Sequence, residues 1–276
     1  MQNICIVGLG IMGGSLALAL KEMGNKVEIL GCDSSIEHQN DALKLNLVDR
    51  IITLEEAKSC DVIFLATPVD TIVALLEKLK DIKSTTTIID LGSTKYGIVK
   101  NTPPQIRSNF VAAHPMCGTE KHGPKAALKG LYRGKIVVIC DSENSNKFSL
   151  DRAKSIFSNI GMKIVYMDAK EHDKHAAIIS HLPHVISFGL ANVVLSHEDP
   201  KSIVNLAAGG FRDMSRIAKS SPSMWGDIFR QNREFLLGAI ESYEDEIKNF
   251  KNAIKDGEWD KVSKLIEEAN RLEKIL

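Results

Sequence analysis

The stretch GLGIMG, residues 8–13, limits the fold of this 276-residue chain more than any other segment. It follows the apolar run NICIV and opens into SLALALKEMG, so a strand leads into G-x-G-x-x-G and then a helix. In that context the motif reads as the first turn of a dinucleotide-binding βαβ unit. Gly8 permits the tight turn. Gly10, with Ile11 and Met12 behind it, lets backbone N–H groups approach a pyrophosphate at the positive end of the helix. Gly13 lets the helix lie close to the strand.

The rest of the first half repeats the pattern. KVEILGCD, DVIFLAT, TTIIDL, NFVAAH, GKIVVICD and MKIVYMD are short apolar runs separated by amphipathic segments. Unbroken apolar strands alternating with helices predict an α/β, doubly wound, largely parallel sheet buried on both faces. After Asp168 the strand signals stop, and helices are expected over 170–198, 200–220, 223–255 and 258–275. The expected division is a Rossmann-type domain over 1–168 and an all-helical domain over 169–276.

Composition bounds the function classes. Lys plus Arg and Asp plus Glu both number 35, so no basic surface for nucleic acid is expected. The N-terminus runs straight into a strand, no apolar run reaches membrane-spanning length, and the cysteine count of 5 is odd with no C-x-x-C. A cytoplasmic protein with free thiols, off the membrane, is expected. The long helices after residue 223 carry more apolar positions than one small domain buries, which points to a homodimer.

Asp33 ends the second strand about 20 residues past the glycine loop, where a carboxylate accepts from ribose hydroxyls and repels a 2′-phosphate. No Arg follows it, so the expected cofactor is NAD. Thr67, Pro68 and Ser93 lie past the ends of two further strands, at the edge where ligands of open α/β sheets bind.

His114 stands at the same edge, in AAHPMCGTEKHG. Three roles are open to it: half of a nucleophile pair with Cys117, a metal ligand, or a lone proton acceptor. Residues three apart after His-Pro do not reliably face each other, and the H-x-x-H pairs HDKH and HLPH lack the neighbouring ligands of a zinc site. No metal is expected. An imidazole of ordinary pKa, about 6.5, serves as a base near neutrality. In the helical half, Pro183 within SHLPH predicts a kink that frees the Ile179 carbonyl, with Ser180 and His184 on one face. Gly209-Gly210 is expected to break a helix ahead of Arg212 and Arg216. Either arginine can clamp a carboxylate, and spacing does not choose between them.

Together these segments resemble the prephenate dehydrogenase family. The resemblance is carried by VGLGIMGGSLALAL, DLGSTK, HPMCGTEKHG, SHLPH, AGGFRDMSRIA and MWGDIF, in the family's order over residues 7–229. It implies NAD-dependent oxidative decarboxylation of prephenate to 4-hydroxyphenylpyruvate, with arogenate as the alternative substrate. It implies that His114 takes the proton of the ring hydroxyl and that Ser93 holds both that histidine and the substrate. His184, Ser180 and Arg216, the second of the two arginines, are implied to bind substrate, and Thr119, Glu120 and Trp225 to line or gate the pocket. The helical half is implied to dimerise, and no regulatory domain is expected after Leu276. Cys117, His122 and Ala208 depart from the residues common in the family.

Overall fold

The computed structural model describes residues 2–22, 24, 27–119 and 121–275. Eight strands form one sheet in the order β3-β2-β1-β4-β5-β6-β7-β8. They are β1 (Gln2–Val7), β2 (Val27–Cys32), β3 (Arg50–Ile51), β4 (Val62–Leu65), β5 (Thr87–Asp90), β6 (Phe110–Pro115), β7 (Ile136–Cys140) and β8 (Lys163–Met167). Every apolar run named above is a strand. The two-residue β3 is too short to carry a periodic signal.

From β3 to β6 all pairings are parallel. β7 departs from the expected direction and pairs antiparallel with β6, while β8 pairs parallel with β7. The connection from β6 to β7 contains only a short 3₁₀ turn, Pro124–Ala126, among its described residues. Without a crossover helix the chain re-enters the sheet from the edge it left.

Successive residues of the strands point to opposite faces. Ile4, Ile6, Phe64, Ile89 and Val111 join helices Ile11–Glu22 and Lys147–Asn159 in one apolar cluster. Cys5, Val7, Ile63, Leu65, Ile88 and Phe110 join helix Val69–Lys78 in the other. Both faces are therefore sealed, and polar chemistry is confined to the sheet edges.

β8 ends at Met167, and every described element from Ala169 onward is helical. Asp168 caps the first of these, accepting from the Lys170 and Glu171 N–H groups, and Asp141 Oδ1 accepts the Ala169 N–H. The expected helix over 170–198 is one rod in three parts: Ala169–Ala176, a π turn Ala177–His181, and Leu182–His197. Pro183 donates no N–H and its ring excludes the carbonyl four residues back; the π turn is how this rod accommodates it. The rod spans 29 residues and its most apolar window has a mean hydropathy of 1.6, so one helix does reach membrane-spanning length and apolarity, contrary to the expectation.

The expected break at Gly209-Gly210 falls instead at Ala207 and Ala208. The glycines open helix Gly209–Ser215, where the first-turn N–H groups have no intrahelical partner in any case. Helices Pro222–Gln231 and Arg233–Lys255 are divided at Asn232.

The two halves are tied by side chains. Asp70, in the first turn of helix Val69–Lys78, accepts from Arg230 and Gln231 at the end of helix Pro222–Gln231. The closest packing is at the glycine loop, where a Cβ on Gly13 would lie 1.9 Å from the Gly8 carbonyl oxygen. Gly13→Ala is expected to lower unfolding free energy by about 1–3 kcal/mol or more, because strand and helix must part. Thermal denaturation checks this; a midpoint equal to that of the unsubstituted protein contradicts it.

Candidate functional site

The order β3-β2-β1-β4 places a topological switch between β1 and β4, and the crevice outside their carboxyl ends collects the first set of candidate residues. Gly8 has φ +95°, and a Cβ there would strike the Ala66 carbonyl and the Thr67 side chain. Ala66 and Thr67 thus close one wall of the loop, with Pro68 next in the chain. Around Gly10 no atom lies within 4 Å of a Cβ position. The loop is packed behind and open in front, the shape a pyrophosphate needs. Helix Ile11–Glu22 begins there, leaving first-turn N–H groups, including those of Ile11, Met12 and Gly13, without intrahelical partners.

Asp33 closes the opposite wall. Its Oδ2 accepts the Leu9 N–H at 2.7 Å and its Oδ1 the Ser35 N–H at 2.8 Å. His38 Nδ1 also lies 3.5 Å from Oδ2; a carboxylate offers about four acceptor positions, so room remains for a ribose hydroxyl. The Thr67 hydroxyl is buried without a partner, a polar atom that a ligand can satisfy.

The second set of residues surrounds His114 on β6. Its Nδ1 lies 2.8 Å from His172 Nε2, and His172 Nδ1 lies 2.8 Å from Asp173 Oδ1. The carboxylate only accepts when ionised, so His172 carries its proton on Nδ1. Its Nε2 therefore accepts from His114 Nδ1–H, and the lone pair of His114 is left on Nε2. Asp173 is fixed in turn by the Lys95 and Tyr96 N–H groups, at 2.7 and 2.9 Å. Burial holds the His114 pKa well below the ordinary 6.5, and the neighbouring His172, Lys95 and His181 act in the same direction. The imidazole is neutral further into acid than its composition alone suggests. Ser93, expected to hold His114, makes no side-chain hydrogen bond among the described residues; the ring is held by His172.

Cys117 is partly buried, and burial pushes its thiol up to about 11. Among the described residues no hydrogen bond joins it to His114, whose Nδ1 is engaged by His172, and the raised pKa does not favour the thiolate. His172, once weighed as a ligand in HDKH, has both ring nitrogens engaged in hydrogen bonds.

Helix residues close the other side. His184 Nδ1 donates to the Ser180 carbonyl at 2.9 Å, leaving Nε2 outward, and its ring stacks on Trp225 with centroids 3.5 Å apart. Burial lowers the His184 pKa, and the positive charge of nearby Arg216 lowers it further. Trp225 is buried with its indole N–H unpartnered. Arg212 is spoken for: its Nε donates to the Ala207 carbonyl at 2.9 Å and so caps the preceding helix. Thr119 Oγ1 accepts the Lys121 N–H at 3.2 Å. Glu120 lies outside the described residues.

Several residues here have roles that the sequence did not indicate, His172 having been considered only as a metal ligand. His172 and Asp173 hold His114. Asn232 donates to the Asp173 carbonyl at 2.7 Å and contacts His181 Nδ1 at 3.0 Å. A carbonyl only accepts, so this nitrogen is the amide donor and His181 carries its proton on Nε2. The buried pair Asp90 and Lys95 lies within DLGSTK.

The profile of the prephenate dehydrogenase nucleotide-binding domain matches residues 16–166, and that of the prephenate dehydrogenase dimerization domain matches residues 168–268. The chain belongs to the prephenate dehydrogenase family. Within that family it is 33% identical over 260 residues to a prephenate dehydrogenase of Bacillus subtilis, covering 92% of this chain and 70% of the relative. It is 30% identical over 266 residues to a cyclohexadienyl dehydrogenase of Zymomonas mobilis, covering 94% and 91%. A crystal structure of prephenate dehydrogenase from A. aeolicus, in complex with hydroxyphenyl propionate and NAD⁺, superposes with a TM-score of 0.91 at 34% identity, covering 100% of this chain and 99% of the other. The helical half of this family member is thus a dimerization domain.

The open space in front of Gly10 sets the test of the cofactor crevice. Gly10→Ala is expected to leave the thermal midpoint unchanged and to weaken NAD⁺ binding by at least about tenfold, because the methyl occupies ligand space rather than protein space. Calorimetric titration with NAD⁺ checks it; undiminished affinity counts against the crevice.

Proposed function

We propose that this family member oxidises prephenate with NAD⁺, giving 4-hydroxyphenylpyruvate, CO₂ and NADH. The observation that carries the reading is the Asp173–His172–His114 chain, which leaves the lone pair of a neutral His114 on Nε2, at the same sheet edge as the cofactor crevice. We assign NAD⁺ to Gly8, Gly10, Ile11, Met12, Gly13, Asp33, Thr67 and Pro68, where it supplies the hydride acceptor when bound. His114 Nε2 takes the proton from the ring hydroxyl as C4 loses hydride. Loss of the ring carboxylate as CO₂ then delivers electrons into the ring and makes it aromatic. Arg216, with His184 beside it, holds a substrate carboxylate. Ser93, Ser180, Thr119 and Trp225 are assigned to the substrate side, and Glu120, outside the described residues, is given the same role by the family resemblance. Holding hydroxyl, C4 and cofactor in one line is a positioning task suited to a cleft between domains, here taken as 1–168 and 169–276.

The kinship with a cyclohexadienyl dehydrogenase favours arogenate as a second substrate of the same site. NADH production with each compound separates the two. The proposed assembly is a homodimer through the helical half, supported by exposed apolar side chains on the long rod, Ile179, Val193 and Leu195. The five cysteines are all free, which favours the cytoplasm.

His114→Asn keeps a hydrogen-bonding side chain without the base and is expected to lower kcat by roughly 10²–10⁴ with KM little changed. The neutral imidazole is the active form and its pKa is depressed, so kcat stays flat through pH 6.5 and falls only at lower pH. Steady-state rates from pH 4.5 to 8 check this, and an acid limb that survives His114→Asn assigns it to another group.

Arg216→Ala is expected to raise KM for prephenate by about 10–150-fold, the worth of a charge-assisted bond of about 1.5–3 kcal/mol, and to leave NAD⁺ affinity unchanged. Arg212→Ala, which removes a helix cap, is expected to lower thermal stability instead. The reverse assignment of the two effects overturns the choice of clamp.

A further inference from the structure

Asp90 and Lys95 form an ion pair whose side chains are both 0% exposed, an arrangement the proposed mechanism does not use. Burial of an ion pair is costly, and replacement by apolar residues is often neutral or stabilising, so its presence asks for a task. The hydrogen bonds around it name one. The β5–β6 ladder ends with Asp90 opposite Ala112. Ala113, one residue further and immediately before His114, has no β5 residue across from it. Its N–H donates to Asp90 Oδ1 at 3.0 Å, and its carbonyl accepts from Lys95 Nζ at 2.8 Å. Lys95 Nζ also donates to Asp90 Oδ2, which accepts the Gly92 N–H as well.

We propose that the buried Asp90–Lys95 pair is a positioning device for His114, extending the sheet by one residue with side chains in place of backbone. The same lysine reaches the imidazole from behind. Its own N–H donates to Asp173, Asp173 accepts from His172, and His172 accepts from His114. The result is a closed ring of hydrogen bonds that starts and ends at Lys95 and fixes both backbone and side chain of His114. The groups facing His114 are His172, Lys95 and His181, with Asp173 behind His172. The lysine cation opposes protonation of His114 and so keeps the base free.

The inference rests on His114 being the proton acceptor, and the test separates the two. Asp90→Asn combined with Lys95→Met removes both charges and the Ala113 carbonyl donor while leaving no unpaired buried ion. The full-length double variant is expected to lose kcat by about 10–100-fold, with KM for prephenate and NAD⁺ affinity within about twofold of the original. With the lysine charge gone, the His114 pKa rises and the acid limb of kcat moves to higher pH. Placed in a His114→Asn background, the same pair of changes is expected to lower kcat no further, because a device acting through His114 has nothing left to act on. A merely structural pair would lower the thermal midpoint and leave the acid limb of the folded enzyme in place. That result, or independent losses in the combined background, overturns the proposal. A fully active His114→Asn enzyme overturns the choice of base instead. Should the double variant not fold, ¹⁵N-lysine-labelled wild-type enzyme decides. A slowly exchanging ammonium signal that Lys95→Arg abolishes is expected; ammonium signals all exchanging as free lysine does overturn the proposal.

Discussion

The Asp173 carboxylate is the joint on which the site depends. It is 1% exposed and accepts from two backbone N–H groups of the nucleotide-binding half and from the imidazole of His172. A buried carboxylate with three donors is stable only while all three are in place, and each donor carries part of the desolvation cost. The helical half cannot shift relative to the sheet edge without breaking those bonds. The orientation of His114, the proton position on His172 and the seating of Asn232 all follow from that one anchored group.

The histidines make an electrostatic statement of their own. His114, His172, His181 and His184 sit among buried or half-buried surroundings, and burial lowers the pKa of His114 and His184 and takes that of His181 to about 4. His114, His181 and His184 are therefore neutral near pH 7. Fixed positive charge then comes from Arg216 and Lys95, one toward the exposed side and one in the core. The guanidinium is offered on the exposed side, while the His114 imidazole stays uncharged because it is kept from water.

The alternation of apolar runs and the glycine loop made the sheet and the cofactor crevice legible, since both follow from local periodicity and from backbone conformations only glycine accepts. Gly8, Asp33 and His114 fall at one edge because each ends a strand. The antiparallel turn of β7 was not legible: its residues are as apolar as those of a parallel strand, and direction is decided by a connection with no periodic signal. Nor were His172 and Asp173, which the sequence presents as part of a polar helix start, HDKH. Their meaning depends on a contact across 58 residues, between His172 and His114. Lys95 was hidden for a similar reason, since a lysine in a glycine-rich loop reads as solvated until its burial is seen.

The π turn Ala177–His181 has a consequence in the arithmetic of helix rotation. His172 and His184 are twelve residues apart, which in an unbroken α-helix of about 3.6 residues per turn would set them roughly 120° apart around the axis. The π turn absorbs one extra residue, and the separation falls to roughly 20°. The histidine that holds His114 and the histidine stacked on Trp225 therefore share a face. In this stretch chain length is itself a functional property: deleting Ala177, Ile178 or Ile179 would preserve every named side chain of the site and still turn half of them away from the other half.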